Sequence, residues 1–284
     1  MSDQTPEQLD TPAMRQYRAF KEQYGDYILM FRMGDFYEMF YEDAKTASRI
    51  LGLTLTSRSK GPTAVPLAGI PYHALDSYLS RLVAAGCRVA LCEQVEDPKL
   101  AKGLVKRDVT RLVTPGTLTD ENLLEQREGN YLAAVFAPKP AGGKRGQAGQ
   151  AGTGAAAAGA SSEAASAVGI AWVELSSGAF HTMAAPAATM MDELVRIAPA
   201  EVLIADGGEL DTPIFRQNLT QTISASVTAR PPWAFDAHAA VKNLTDHFHS
   251  RSLEGFGFDG WDESVSAAGA VIEYLTETQK TTLS

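Results

Sequence analysis

The stretch from Tyr27 to Phe40 constrains the fold more than any other part of the sequence. Tyr27-Ile28-Leu29-Met30-Phe31-Arg32-Met33 is apolar enough for a buried strand. Gly34-Asp35 is a turn signal, because Gly tolerates positive φ and Asp bonds its own backbone. Phe36-Tyr37-Glu38-Met39-Phe40 then alternates if it is extended, with Phe36, Glu38 and Phe40 on one face and Tyr37, Met39 and Tyr41 on the other. A carboxylate between two phenylalanines makes a poor core face, since an unpaired buried charge is costly. Tyr37 and Met39 are therefore the expected core pair, and Phe36 and Glu38 are expected to look outward together. A stacking ring beside a hydrogen-bond acceptor suits a protein that wedges between bases and questions one of them. Aromatic-rich strands most often simply line cores, and a helical segment would undo the face argument.

Helices and strands interleave around this stretch. Thr11-Pro12 starts a helix, with Thr as N-cap and Pro at the first helical position; Met14, Tyr17, Phe20 and Tyr24 keep helical spacing, and Gly25 ends it. Residues 44–51 read as a helix closed by Gly52, 54–56 as a short strand, and 57–71 as a long loop rich in Gly, Pro and Ser. Residues 73–85 form an amphipathic helix, with Leu75, Tyr78, Leu79, Leu82 and Val83 on one face and Gly86 as C-cap. Strands over 88–94 and 108–114 follow, which predicts a mixed-sheet α+β domain over 11–127.

A second domain is expected over 128–262. It opens with a strand at 131–137. Residues 138–167 hold 11 Ala and 7 Gly, cannot form a core, and read as a disordered insertion. Strands at 168–175 and 179–183, joined by Ser176-Ser177-Gly178, complete a meander. A helix over 189–198, a strand over 202–205 and a helix over 237–248 then alternate. This pattern resembles a ribonuclease-H-like α/β fold. Residues 263–284 start a further helix, capped by Ser264, with Val265, Ala268, Ile272 and Leu275 on one face.

At 284 residues the chain is long enough for two cores. No run approaches a membrane span, and Met1-Ser2-Asp3-Gln4 lacks the parts of a signal peptide. Cys87 and Cys92 fall on opposite faces of the 88–94 strand region, so they are not expected to pair; two isolated thiols suit a reducing cytoplasm. The net charge of −9 is unevenly spread: −1 over 1–127, −8 over 128–284, and +6 over 45–111, where 11 basic residues meet 5 acidic ones. A basic sector in an acidic chain suits a polyanion contact confined to one side, although solvated helix faces would look the same.

Phe31-Arg32-Met33-Gly34-Asp35-Phe36-Tyr37-Glu38-Met39-Phe40-Tyr41-Glu42-Asp43-Ala44 closely resembles the start of the bacterial MutS family of DNA mismatch repair proteins. Three colinear blocks extend the resemblance: Ala68-Gly69-Ile70-Pro71-Tyr72-His73-Ala74, Cys92-Glu93-Gln94-Val95-Glu96-Asp97-Pro98, and Arg111-Leu112-Val113-Thr114-Pro115-Gly116-Thr117. It is specific over roughly 11–130. Further on it rests on position, the strand–helix pattern and Thr278-Gln279-Lys280-Thr281-Thr282-Leu283. The resemblance implies a mismatch-recognition domain, a connector domain and the start of a lever helix, and that the chain is an N-terminal part without the family's ATPase.

The family role implied for Phe36 is the wedge. Glu38 would accept, or when protonated donate, a hydrogen bond at the displaced base. Arg58 and Lys60, beside Gly61-Pro62, are natural phosphate contacts that position rather than specify. Leu67, Gly69, Pro71 and His73 would line the same groove, with His73 equally at home as a helix-start residue. The implied partners are mismatched double-stranded DNA, MutL through the connector, and a second copy in the full-length family. ATP and Mg2+ are expected only for the ATPase domain. The implied chain is non-catalytic and cytoplasmic.

Competing readings remain. Asp35, Glu38, Glu42 and Asp43 would suit a metal-dependent, structure-specific nuclease, though Glu42 and Asp43 also fit a helix's first turn. Glu174 is the second domain's most suggestive carboxylate, without a convincing metal set around it. Gly143-Lys144-Arg145 fails the phosphate-loop pattern. A pure protein-docking module is the third reading.

Overall fold

The computed structural model describes residues 11–57, 64–96, 103, 105–118, 129–138, 167–258 and 262–279. Arg58, Lys60 and the Ala/Gly stretch over 139–166 lie outside them. The chain divides into two units: residues 1–132 with 174–179 and 274–284, and residues 133–173 with 180–273. Both are built on mixed α and β structure. Among the described residues no helix is long and apolar enough to cross a membrane.

In the first unit, α1 (Pro12–Gln23) starts as its sequence predicts, with Thr11 Oγ1 accepting from the Met14 amide at 3.3 Å. β1 (Ile28–Met33) and β2 (Phe36–Phe40) pair antiparallel across Gly34-Asp35, with Met33 opposite Phe36. Then come α2 (Tyr41–Leu51), β3 (Thr56–Ser57), β4 (Pro66–Pro71), a 3-10 turn (Tyr72–Ala74), α3 (Leu75–Ala84), β5 (Val89–Gln94) and β6 (Arg107–Val113). The strand order is β3-β4-β2-β1-β5-β6, with β1 and β5 parallel and the other neighbouring pairs antiparallel.

This sheet is buried on both faces, which is why Ile28–Phe31 of β1 reads as an unbroken apolar run. One face packs Met30, Tyr37, Met39, Ile70 and Leu91 into a core with Leu79 and Leu82 of α3 and Ala44 and Ala47 of α2. The other packs Leu29, Phe31, Phe40, Ala90 and Cys92 with Met14 and Tyr17 of α1. Cys87 packs against the first core and Cys92 lies in the second, and both are free thiols.

Two expectations in this unit need correction. The loop expected over 57–71 contains β4, which pairs with β2 along its length. Prolines at both ends and Gly69 inside disguise it, yet Ala68 and Ile70 alternate into the core. The helix expected from 44 begins at Tyr41, whose φ of 54° turns the chain sharply out of β2.

Over 133–173 and 180–273 the second unit carries all or most of β7 (Tyr131–Phe136), β8 (Ala167–Glu174), β9 (Ala179–Pro186), α4 (Met190–Ile197), β10 (Glu201–Ala205), α5 (Pro213–Ile223), β11 (Ser226–Arg230), α6 (Ala237–His247) and α7 (Glu263–Thr278), whose residues from 274 on belong to the first unit. The sheet order β11-β10-β7-β8-β9 keeps the three meander strands adjacent and adds β10 and β11 on the far side of β7, with β10 and β11 parallel. Asp262, rather than Ser264, caps α7: its Oδ1 accepts from the Ser264 amide at 2.8 Å and the Ser264 hydroxyl at 2.5 Å. Nor is α7 one-sided. Every residue from 264 to 272 is buried, because the side opposite Val265 and Ile272 consists of Ala, Ser and Gly. A Cβ on Gly269 would stand 2.3 Å from the Ala240 Cβ, and one on Gly169 of β8 would stand 1.9 Å from the Glu263 carbonyl oxygen.

Candidate nucleic-acid interface

The Gly34-Asp35 turn holds the first candidate residue. Gly34 has φ 60° and Asp35 has no positive φ, the pattern of a two-residue hairpin turn whose twist matches the strands it joins. Phe36 follows immediately and is 48% exposed, although it lies on the same strand face as fully buried Phe40. The reason is the reach of α1. Tyr17 meets Phe40 edge-on at 4.9 Å and Phe31 at 5.7 Å, sealing that end of the face. Glu38, between them, is half-buried. The expectation that Phe36 and Glu38 look outward together therefore describes the tip of β2, while the same face turns into core at Phe40.

Strand β4 completes the surface. Its register places Leu67 opposite Phe40, Gly69 opposite Glu38 and Pro71 opposite Phe36. Directly opposed residues of an antiparallel pair share a face, so Phe36, Glu38, Gly69 and Pro71 form one strip. Leu67 is partly buried and packs against the core that holds Phe40. His73 lies past the strand in the 3-10 turn, exposed, its ring 5.8 Å from that of Tyr72. Gly69 is exposed and its φ is not positive, and a Cβ there would meet only the Tyr37 carbonyl oxygen at 3.5 Å and Glu38 Cγ at 3.9 Å. Alanine would fit. Neither backbone conformation nor packing explains the glycine, and the space it leaves adjoins the Glu38 stem.

The acidic cluster does not converge. Asp43 is buried and turned inward: Oδ1 accepts from Lys21 Nζ at 2.8 Å, and Oδ2 accepts from the Tyr17 hydroxyl and the Leu29 amide, each at 3.0 Å. Burial, then the Asp43 charge, pushes the Tyr17 hydroxyl far above its ordinary pKa. Glu42 faces solvent and pairs with Lys45 at 2.6 Å. Among the described residues no group of three or more His, Cys, Asp or Glu could hold a metal ion.

The basic sector is partly spent on the fold. Arg81 donates to the Leu51 carbonyl oxygen at 3.1 Å at the end of α2, and Arg88 pairs with Asp26 at 3.3 Å. Arg107 is buried. Its Nε donates to the Arg32 carbonyl oxygen at 2.8 Å, its Nη2 lies 3.4 Å from Met33 Sδ, and its guanidinium lies 4.9 Å from the Phe31 ring centre.

Residues 11–122 match the family model of MutS domain I, and residues 155–284 match that of MutS domain II. Over 277 residues the chain is 51% identical to the DNA mismatch repair protein MutS of Rhodopirellula baltica, an alignment covering 96% of this chain and 30% of that protein. The chain belongs to the MutS family. It spans about 30% of the length of that relative. Among solved structures, the simian T-cell lymphotropic virus intasome in complex with PP2A regulatory subunit B56 gamma matches at a TM-score of 0.23, with 11% identity over 52% of this chain and 49% of that one, a likeness too slight to bear on the fold.

The whole Phe36 strip lies within the MutS domain I match, and α7 lies within the domain II match. Sequence reasoning did not single out Arg32, Tyr72 or Arg107, which surround the turn. Arg32 and Tyr72 stand inside two of the MutS-like blocks, and that placement was the available signal. Nothing in the spacing marks Arg107, which reaches the hairpin from 74–75 residues away.

Proposed function

We propose that this chain senses mispaired or unpaired bases in duplex DNA, with Phe36 as wedge and Glu38 as base contact. The observation that carries the reading is the half-exposed Phe36 ring on a two-residue turn, beside a half-buried carboxylate faced by an unneeded glycine. A mismatched step stacks poorly and kinks easily, so a ring inserted there costs less than at a matched step. Stacking on the ring would return ~1–3 kcal/mol. Glu38 would bond the displaced base through the opening that Gly69 leaves. Arg58 and Lys60 would hold flanking phosphates and fix the register. The role as a mismatch repair component rests on membership of the MutS family. The second unit would pass the signal to an ATPase domain, which would hold ATP and Mg2+, and to MutL, in a cytoplasmic dimer of the full-length protein.

The test is a fluorescence-anisotropy titration of a G·T-mismatched duplex and its matched twin at low salt, with wild type and Phe36→Ala. The expected outcome is tighter binding of the mismatched duplex by wild type and equal binding of both by Phe36→Ala. A mismatch preference that survives Phe36→Ala sinks the wedge assignment.

A further inference from the structure

Behind the Phe36 turn, on the opposite face of the sheet, lies a second group of side chains. Arg32 Nε donates to the Gly34 carbonyl oxygen at 2.5 Å. The Arg32 guanidinium lies 4.1 Å from the ring centre of Tyr72 and 5.4 Å from that of Tyr37. The Tyr72 amide donates to the Asp35 carbonyl oxygen at 2.9 Å. Both carbonyls of the two-residue turn are thus occupied, one by Arg32 and one by the backbone of the residue whose ring Arg32 covers. The Tyr37 hydroxyl, beneath the guanidinium, donates to Glu93 of β5. From the other face, Arg107 grips the Arg32 carbonyl. Tyr72 itself is 46% exposed, so its ring is not held by a core. It lies instead against the Arg32 guanidinium, with the His73 ring edge-on at 5.8 Å.

We infer that Arg32, with Tyr72 stacked on it, is a positioning residue that immobilises the Gly34-Asp35 turn and so pre-orients Phe36. This deepens the mismatch-sensing reading and rests on it. A wedge on a loose turn would pay its ordering entropy at the moment of insertion, and a braced one has that cost already met by folding. The planar fork is essential to the argument. A lysine keeps the charge but cannot donate to Gly34 in the guanidinium plane while lying flat on Tyr72.

The experiment compares wild type, Arg32→Lys, Tyr72→Leu, Phe36→Ala and the Arg32→Lys/Phe36→Ala double variant. Amide hydrogen exchange is followed over 33–37 and at Tyr72, and the ratio of mismatched to matched duplex affinity is measured for each. Arg32→Lys should speed exchange at the turn and lower the ratio about tenfold, with Tyr72→Leu moving both in the same direction by less. Adding Arg32→Lys to Phe36→Ala should weaken binding of the mismatched duplex no further, because Arg32 acts through Phe36. Unchanged exchange in Arg32→Lys overturns the brace. Faster exchange with an unchanged ratio, in a chain whose Phe36→Ala variant does lose discrimination, overturns the positioning role. An additive loss in the double variant overturns it too, since Arg32 would then act on DNA directly. If Phe36→Ala keeps the wild-type ratio, the sensing reading fails and the positioning role with it, and exchange alone decides whether the brace exists.

Discussion

A helix packs against strands in each unit, and the two are used to different extents. α1 seals the second core of the first unit around Phe31 and Phe40, then leaves the tip of β2 bare, so exposure climbs from 0% at Phe40 to 48% at Phe36. α7 sinks into the second unit until every residue from 264 to 272 is buried. Both solutions use the same chemistry of apolar burial, roughly 25 cal/mol for each Å2 removed from water. Almost nothing of that helix segment is left in water. The first unit leaves a phenylalanine there, next to a glycine that packing does not require. Incomplete cover beside a well-packed core is a feature of the site, because four residues further along the same strand Phe40 is fully buried against Tyr17 of α1.

The sharpest way to break this comparison is to make one substitution in both places. Gly169→Ala should abolish the cooperative unfolding transition of the second unit or cost more than ~4 kcal/mol, because the new methyl would stand 1.9 Å from a backbone oxygen that cannot step aside. Gly69→Ala should change stability by less than ~0.5 kcal/mol, its new methyl meeting ordinary contacts, and should show its effect only in DNA binding. Urea denaturation followed by circular dichroism reads both. Equal costs would mean that the strip is as tightly packed as the α7 seat.

Next in size is a pair on a single face of β2. Phe40→Ala should cost ~3–5 kcal/mol, the usual loss for a fully buried phenylalanine. Phe36→Ala should cost under ~1 kcal/mol, since half its ring is already in water. Asp43→Ala belongs with Phe40: it strands the buried Tyr17 hydroxyl and Leu29 amide and the partly buried Lys21 ammonium, for about 3 kcal/mol. A Phe36→Ala loss as large as that of Phe40→Ala would show that Phe36 supports the fold and is not held in reserve for a ligand.

Much of this contrast was legible in the sequence, and the rest was hidden for physical reasons. The Gly34-Asp35 turn and the Phe36–Glu38 pair follow from turn chemistry and strand alternation. Alternation gives the face of Phe40 but not its burial, because the point where α1 stops along the strand is a tertiary fact. β4 was hidden by Pro66, Gly69 and Pro71, three residues that ordinarily punctuate loops, and with it the pairing that brings Gly69 beside Glu38. α7 read as one-sided because Ala, Ser and Gly carry little hydropathy signal, although the smallness of Gly269 is what lets α6 approach. Arg32 reads as an interruption in an apolar strand until Tyr72, forty residues on, is seen to lie on it.

The smallest effect expected lies beneath the bare tip, at Tyr37. Burial, followed by the hydrogen bond to Glu93 and its charge, pushes the Tyr37 hydroxyl up to about 12, against the pull of Arg32 in the other direction. The sign follows from proton binding. Below pH 10 the phenol is protonated in the folded and unfolded chains alike, and its contribution through Glu93 is fully present. As pH rises from 10 towards 12 the unfolded chain releases its proton first, so that contribution drains away. The Tyr17 hydroxyl and the Cys92 thiol, both raised chiefly by burial, add their own alkaline losses, so the informative quantity is the difference between wild type and Tyr37→Phe. That difference in unfolding free energy should be constant up to pH 10 and shrink over the next two units. A difference that stays flat through pH 12 would mean that the hydroxyl is neither buried nor held against Glu93, and the support under Arg32 would then end at the Tyr72 ring.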